Sequence, residues 1–279
     1  IPMLVQGSPR PGWTIGVNGF AGNLGVACSA IVTGFMVKYF GWRMAFVLPG
    51  ILSIACGIAF ARSAKAESVP PSRRAATQLE LPAGLLARVL LVVTLASTGA
   101  TLLFNFSTNG NYELLHERFA AVSRDPADLG LLLATIYAIA SFAQLIVGKL
   151  IDRVALKPLY LAVLALQIVF LAMAVDAQSW SLWVLQTLFM AAIFGAIPFT
   201  DALIVRYVDD RMRSRVAGVR FAVSLGASSV AVWLLGPMVK QAGFGVLLWT
   251  MVAIALAMIP VIALLPKPPQ TGAGNRSSI

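Results

Sequence analysis

The chain has 279 residues, of which 59% are hydrophobic and only 11% charged, whereas a soluble domain averages about 25% charged residues. No soluble core needs that much apolar sequence. The formal net charge of +10 is accounted for by basic residues held on one membrane face, and no Arg/Lys stripe interleaved with aromatics marks a nucleic-acid surface, so nucleic acid is not expected as a partner.

Eight stretches of at least 18 residues lack Asp, Glu, Lys and Arg, close to the length a helix needs to cross a bilayer. A charge at a span centre costs roughly 2.5–3.5 kcal/mol on insertion scales, so charges gather where the chain meets water. The expected fold class is an all-α integral membrane bundle. The chain opens Ile1-Pro2-Met3 without the pattern of a signal peptide and is expected to start within a longer protein. The first span is predicted over about Trp13 to Val37 and the second over Met44 to Ala61, joined by a hairpin. Cys28 and Cys56 fall inside these two spans and are expected to act as small buried hydrophobes. Residues 62–88, rich in Pro, Ser and basic residues, have the composition of a flexible linker. Six spans follow: Val89 to Asn111, Leu129 to Gly148, Pro158 to Val175, Leu182 to Val205, Val216 to Val239 and Val246 to Leu265. The expected organisation is thus a first block over 1–61, a linker over 62–88, a second block over 89–265 and a disordered tail over 266–279.

Assigning alternate loops to opposite faces puts 16 Lys/Arg on the side of both ends, the linker and the Lys149-to-Lys157 loop, against 5 on the other. By the positive-inside rule the first side is cytoplasmic, as for a multi-pass protein of the plasma membrane, the inner membrane in a bacterium.

Polar residues are distributed unevenly among the spans. The second, fifth and eighth are almost purely apolar, with Tyr160 and Gln167 among the few exceptions, and can face lipid on much of their circumference. The third carries Thr94, Thr98, Thr101, Asn105 and Asn109 at steps of four, three, four and four, all on one helical face. Tyr137, Ser141 and Gln144 repeat the pattern in the next span, and Gln186 lies in the sixth. Such faces either line water along a substrate path or join helices by hydrogen bonds, a use worth about 0.6 kcal/mol on average. Gly16, Gly19, Gly22 and Gly25 recur every three residues, which suits close helix packing. Pro198, Pro237 and Pro260 are candidate kinks. Asp201 can pair with Arg206 or Arg220, snorkel, or relay a proton; with Arg220 it forms the candidate coupling set. His116, beside Glu113 and Glu117, is read as solvated surface. An intramembrane enzyme needs a nucleophile with its base, or clustered His and carboxylates at one depth, and the spans carry no such set, nor a phosphate-binding Gly-Lys loop.

The segment Gly34-Phe-Met-Val-Lys38-Tyr-Phe-Gly41 is echoed by Gly236-Pro-Met-Val-Lys240-Gln-Ala-Gly243, an offset of 236 − 34 = 202. The first two spans therefore correspond to the last two, and one repeat holds six spans. Projected back, the first repeat would start about 115 residues before Ile1, with Ile1–Gln6 as the tail of its fourth helix.

Two six-span repeats joined by a long linker resemble the major facilitator superfamily of secondary transporters. The loop Gly148-Lys149-Leu150-Ile151-Asp152-Arg153-Val154-Ala155-Leu156-Lys157 is similar to the family's Gly-x-Leu-x-Asp-Arg-x-Gly-Arg-Lys signature, with Ala155 and Leu156 replacing the expected Gly and basic residue. The resemblance implies a bundle with about eight of twelve transmembrane helices present, numbers five to twelve. It also implies that Gly148, Asp152, Arg153 and Lys157 form a gating loop that braces the cytoplasmic closure without touching substrate. Replacing Asp152 should then impair transport. The family's exchange signature requires a Gly-Pro that the first span lacks, so exchange gains no support. The implied function is transport of a small solute by alternating access, along a path including Thr98, Thr101, Asn105, Asn109, Tyr137, Ser141, Gln144 and Gln186. A proton or ion is the candidate coupling partner, the bilayer is the surroundings, and one copy of the chain is expected to suffice. Neither a cofactor nor a metal is expected. The competing class is a non-transporting membrane sensor or an inactive remnant.

Overall fold

The computed structural model describes residues 8–63, 83–208 and 210–266. The expected fourth-helix tail at Ile1–Gln6, most of the linker and nearly all of the tail lie outside them. Seven helices account for almost all the described residues: α1 (Pro11–Phe40), α2 (Met44–Ser63), α3 (Ala83–Arg118), α4 (Pro126–Ile151), α5 (Leu156–Ala174), α6 (Ser179–Tyr207) and α7 (Asp210–Ala263). Each is long and apolar enough to cross a membrane. Helix α3 starts at Ala83, inside the stretch read as linker.

Helix α7 holds two of the predicted spans. At 54 residues it would extend about 80 Å, far beyond a hydrocarbon core of about 30 Å. The backbone breaks at Gly243 (φ 77°, ψ 172°), dividing α7 into arms over 210–242 and 244–263. Gly41, which ends α1, has almost the same conformation (φ 81°, ψ 166°). These are the two glycines that close the repeated segment, so the 202-residue echo extends to backbone geometry. A side chain would be strained at either position. The break falls at Gly243 and not at Pro237 or Pro260, which the helix accommodates.

The tightest seam runs between α1 and α4. An added Cβ at Gly12 would lie 2.5 Å from the Gly148 carbonyl oxygen; at Gly16, 2.6 Å from the Gln144 carbonyl oxygen; and at Gly34, 2.8 Å from the Pro126 carbonyl oxygen. Reciprocally, Cβ atoms at Gly130 and Gly148 would collide with the α1 backbone at 2.8 and 2.7 Å. The small-residue face of α1 is therefore Gly12, Gly16, Gly19 and Gly34, at helical repeats of three and four. It is not the every-third-residue run, since Gly22 and Gly25 have nothing within 4 Å. At about 100° per residue, each step of three drifts about 60° around the axis, which carries Gly25 to the face opposite Gly16.

Helix α6 is the most enclosed element, with 72% of its most apolar window buried, whereas α2 has no buried residue. It lies against α4, α5 and α3, while α7 packs on α3 and α5. The polar residues of the otherwise apolar α5 point inward, which leaves exposed apolar side chains such as Leu166, Val169 and Met173 on its other face. Tyr160 stacks parallel on Phe199 with ring centroids 4.4 Å apart, and Gln167 donates to the Ala192 carbonyl at 3.0 Å. The inward turn gives the Gln167 amide nitrogen a partner, whereas the Tyr160 hydroxyl and the Gln167 amide oxygen are buried without one. Cys28 and Cys56 are free and lie on outward faces, not in a core. At one loop the Arg118 guanidinium donates to the Ala174, Val175 and Ala177 carbonyls at 2.6–3.1 Å, satisfying the carboxyl end of α5.

A branched side chain at the seam should separate the two helices. Gly148→Val is expected to lower the unfolding temperature in detergent measurably, a cost of about 1–3 kcal/mol, whereas Gly25→Ala, with open space around it, should leave it unchanged.

Candidate functional site

At the end of the bundle that gathers Arg10, Lys149, Arg153 and Arg206, α1 begins with Pro11 and no side-chain cap of its own. Its first-turn N–H groups are taken by the carboxylate of Asp152, 140 residues away in the α4–α5 loop. Oδ1 accepts from the Gly12 N–H at 2.8 Å and Oδ2 from the Trp13 N–H at 2.9 Å. An anionic acceptor is favoured at a helix N-terminus both by charge-assisted hydrogen bonding and by the helix dipole. Gly12 and Gly148 leave the space in which the loop reaches α1.

The other residues of the signature-like loop do different things. Lys157 donates to the Ala263 carbonyl and so caps the last helix within its own block. Arg206 donates to the Ile151 carbonyl, holding the end of α4. Arg153 is exposed at the lip of the cleft beside Asp152. Only Gly148 and Asp152 of the four predicted gating residues meet α1.

The predicted path residues separate into three groups. Thr98, Thr101 and Asn105 are half-buried on α3, and Asn109 is exposed. Asn105 donates to the Ser228 hydroxyl of α7 at 2.9 Å and to the Thr101 carbonyl at 2.9 Å, while Ser97, about two turns earlier on α3, lies 3.5 Å from Ser224. Thr98 and Asn109 bond to the carbonyls of Thr94 and Asn105, one turn back on their own helix. Tyr137 and Ser141, both buried, face elsewhere: the Asn111 amide donates to the Tyr137 oxygen at 3.2 Å, Gln186 donates to the Asn111 carbonyl at 3.3 Å, and Ser141 bonds to the Tyr137 carbonyl at 2.6 Å. Gln144 belongs to neither group. It is buried against α1, where its side-chain oxygen occupies the notch left by Gly19, 1.5 Å from the position a Cβ would take. Neither amide atom of Gln144 has a hydrogen-bond partner in the protein, nor has the Asn23 amide nitrogen on the same seam or the Gln186 amide oxygen.

Asp201 and Arg220 form a buried ion pair, with Arg220 donating to Asp201 Oδ1 at 2.7 Å. The guanidinium also lies over the Phe221 ring, 4.8 Å from its centroid. Of the alternatives open for Asp201, the structure selects Arg220 over Arg206.

At the opposite end of the α1–α4 seam, Lys38 and Asp125 form an ion pair at 2.6 Å. Asp125 also caps α4 by accepting from the Ala127 N–H at 2.8 Å. The Lys38 ammonium first, and that N–H second, hold the Asp125 carboxyl below the ordinary carboxylate range. Nearby, Asn109, Glu113, His116, Glu117, Arg124 and Lys240 line a cleft of about 820 Å³ between α3 and α7. His116 is exposed, in keeping with its reading as solvated surface, and it also lines this cleft and stacks on Tyr112 with ring centroids 6.5 Å apart. Its neighbours were detectable, since Glu113 and Glu117 continue the steps of four from Asn105 and Asn109. Among the described residues no group of three or more His, Cys, Asp or Glu is placed to hold a metal ion.

The model of a protein family described as the Major Facilitator Superfamily matches residues 8–116 and 95–278, together almost the whole chain. The chain belongs to the Major Facilitator Superfamily. Members of this superfamily are transporters and not enzymes, and the chain is accordingly a multi-pass membrane protein of a transporter family. No curated protein matches it.

Removing one member of the buried pair leaves the other charge uncompensated. Arg220→Gln or Asp201→Asn is expected to cost about 3–5 kcal/mol, and replacing both should cost less than Arg220→Gln alone, as read by thermal unfolding in detergent. The Lys38–Asp125 pair should respond to acid. Because its carboxylate value is lowered by folding, its contribution is complete above the unfolded value of about 3.9 and is lost as pH falls through the lower folded value. Spin labels at Tyr39 and Val122 should report a constant distance from pH 8 to 5 and a longer one well below pH 4.

Proposed function

We propose that the chain moves a small solute across the membrane by alternating access, with the α1–α4 seam as part of the gate between two helical blocks. The observation that carries this reading is the Asp152 clamp. A carboxylate in one block caps the first turn of a helix in the other, and such a contact is made or lost as a unit when the blocks rock apart. Lys38 and Asp125 tie the same two helices at their other ends. On this reading α1 and α4 pivot about their glycine contacts, the Asp152 end faces the cytoplasm, and the linker and both chain ends lie on that side.

The unpartnered amides of Asn23 and Gln144 support motion at this seam. A buried polar group without a partner costs about 1–3 kcal/mol. Opening the seam lets water or substrate satisfy these groups and recovers part of that cost, which narrows the free-energy gap between closed and open arrangements. The substrate path runs along the α3 face of Thr98, Thr101, Asn105 and Asn109 toward the 820 Å³ cleft, with Tyr137, Ser141 and Gln186 behind it. Uncharged amides and hydroxyls bind a small polar solute weakly enough to release it. Asp201 and Arg220, already paired, fasten α6 to α7, and a coupling proton at Asp201 would have to displace Arg220. Gly148 and Asp152 are the gate residues proper; Arg153 and Lys157 support them.

Asp152→Asn removes the charge and keeps only one of the two acceptors, because its amide nitrogen donates and cannot accept the second N–H; a loss of about 1.5–3 kcal/mol shifts the closed-to-open ratio at least about tenfold. In a background with Cys28 and Cys56 replaced by Ser, single cysteines at Thr101 and Asn109 should react with a water-soluble maleimide, and their rates should change several-fold in the Asp152→Asn variant. Uptake of a panel of small solutes into proteoliposomes, with and without an uncoupler, then identifies substrate and driving force. Thr101 and Asn109 sites inert to the reagent in both backgrounds would overturn the path. Unchanged labelling and unchanged uptake in Asp152→Asn would overturn the gate.

A further inference from the structure

Beside the Asp152 clamp lies a cleft of about 540 Å³ lined by Arg10, Trp13, Lys149, Asp152, Arg153 and Arg206. Among the described residues that line it, basic side chains outnumber carboxylates. The lone carboxylate is committed to the Gly12 and Trp13 N–H groups, and Arg206 is engaged with the Ile151 carbonyl. Among the described residues, the side chains of Arg10, Lys149 and Arg153 have neither an ion pair nor a hydrogen bond. They reach the cleft from three different places: the segment before α1, the last turn of α4 and the α4–α5 loop. Cations brought together this way repel one another unless an anion lies between them.

We propose that this cleft binds a phosphate-bearing anion. Guanidinium forks match the paired oxygens of a phosphate or phosphodiester, and ammonium adds a point charge. The cleft sits at the ends of membrane-spanning helices, with Trp13 42% exposed beside it, a side chain suited to the depth of lipid head groups. Two sources share this chemistry, the head group of an anionic phospholipid and free phosphate. In either case the anion bridges Arg10, which leads into α1, to Lys149 and Arg153 on the α4 side. It thus ties the same two elements that Asp152 ties. Its regulatory consequence, favouring the closed arrangement at this end, rests on the gate proposed above; the binding itself does not.

The test uses the full chain in uncharged detergent and reads binding without transport. Phosphatidylglycerol, phosphatidylcholine and inorganic phosphate are titrated separately at fixed salt, with retained ligand measured by native mass spectrometry. Phosphatidylglycerol is expected to bind at least tenfold tighter than phosphatidylcholine. Arg10→Gln with Arg153→Gln should weaken it roughly thirtyfold, from the surface contribution of each basic residue. Arg153→Lys, which keeps the charge, should lose much less. Arg43→Gln, at the opposite end, should change nothing, and unaltered unfolding temperatures confirm that the variants fold. Inorganic phosphate binding with the same sensitivity to the variants, in place of the lipid, would support the site and assign it to a free anion. Equal retention of the two lipids without phosphate binding, or undiminished binding of both anions by the double variant, would overturn the proposal. Because no transport is measured, a seam that proved not to be a gate would leave the binding result unaffected.

Discussion

The close approach of α1 and α4 is the contact on which the rest of the arrangement depends. Glycines on both helices remove the side chains that would hold the backbones apart: Gly12 and Gly16 against Gly148, and Gly34 against Gly130. In lipid no hydrophobic force drives helices together, so van der Waals packing over such a surface and a few polar contacts supply the association. Both polar contacts sit at the ends, where the helices leave the hydrocarbon. Asp152 holds one end through two backbone N–H groups, and Lys38–Asp125 holds the other through an exposed ion pair.

Between those ends the seam is poorly satisfied. Asn23 and Gln144 are enclosed without partners; away from α1, Asn105 with Ser228, Asn111 with Tyr137 and Asp201 with Arg220 are paired, although the Tyr160 hydroxyl, the Trp183 N–H and the amide oxygens of Gln167 and Gln186 are also buried without one. Helices α3 to α7 are joined by those pairs and by the burial of α6, while the boundary between α1 and α4 combines tight steric fit with enclosed amide atoms that make no hydrogen bond. In the function proposed above, a boundary of that kind lies between blocks that move against each other. The unbalanced positive charge around Arg10, Lys149 and Arg153 lies at the same boundary, so an anion bound there acts on the contact already singled out.

Much of this was legible in the sequence. Charge-free windows give the spans, because an ion at mid-membrane is too costly to occur casually. The 202-residue echo gives the internal repeat, and Gly41 and Gly243 repeat it in their backbone angles. The α3 stripe was legible because a face of Thr and Asn at steps of three and four is a one-dimensional property of a helix. Asp152 was singled out by its loop motif, though its partner was not: the backbone N–H groups of Gly12 and Trp13 leave no mark in the side-chain sequence.

What the sequence by itself determined about this protein is therefore what repeats along one helix or is forbidden in lipid: the number of spans, their polar faces and the distribution of basic residues between loops. What only the tertiary structure decided is which faces meet. Counting glycines by threes pointed to Gly22 and Gly25, but helical rotation turns these away and brings Gly12 and Gly34 into the seam. Periodicity gave Gln144 to the same path as Asn105, yet the packing of α4 turns it to α1. Arg220 and Arg206 were equal partners for Asp201 on paper, and the packing decided between them, bringing Arg220 to Asp201 and Arg206 to the Ile151 carbonyl. Rotation about a helix axis and the partner across a seam depend on residues far apart in the chain, and no local spacing encodes them.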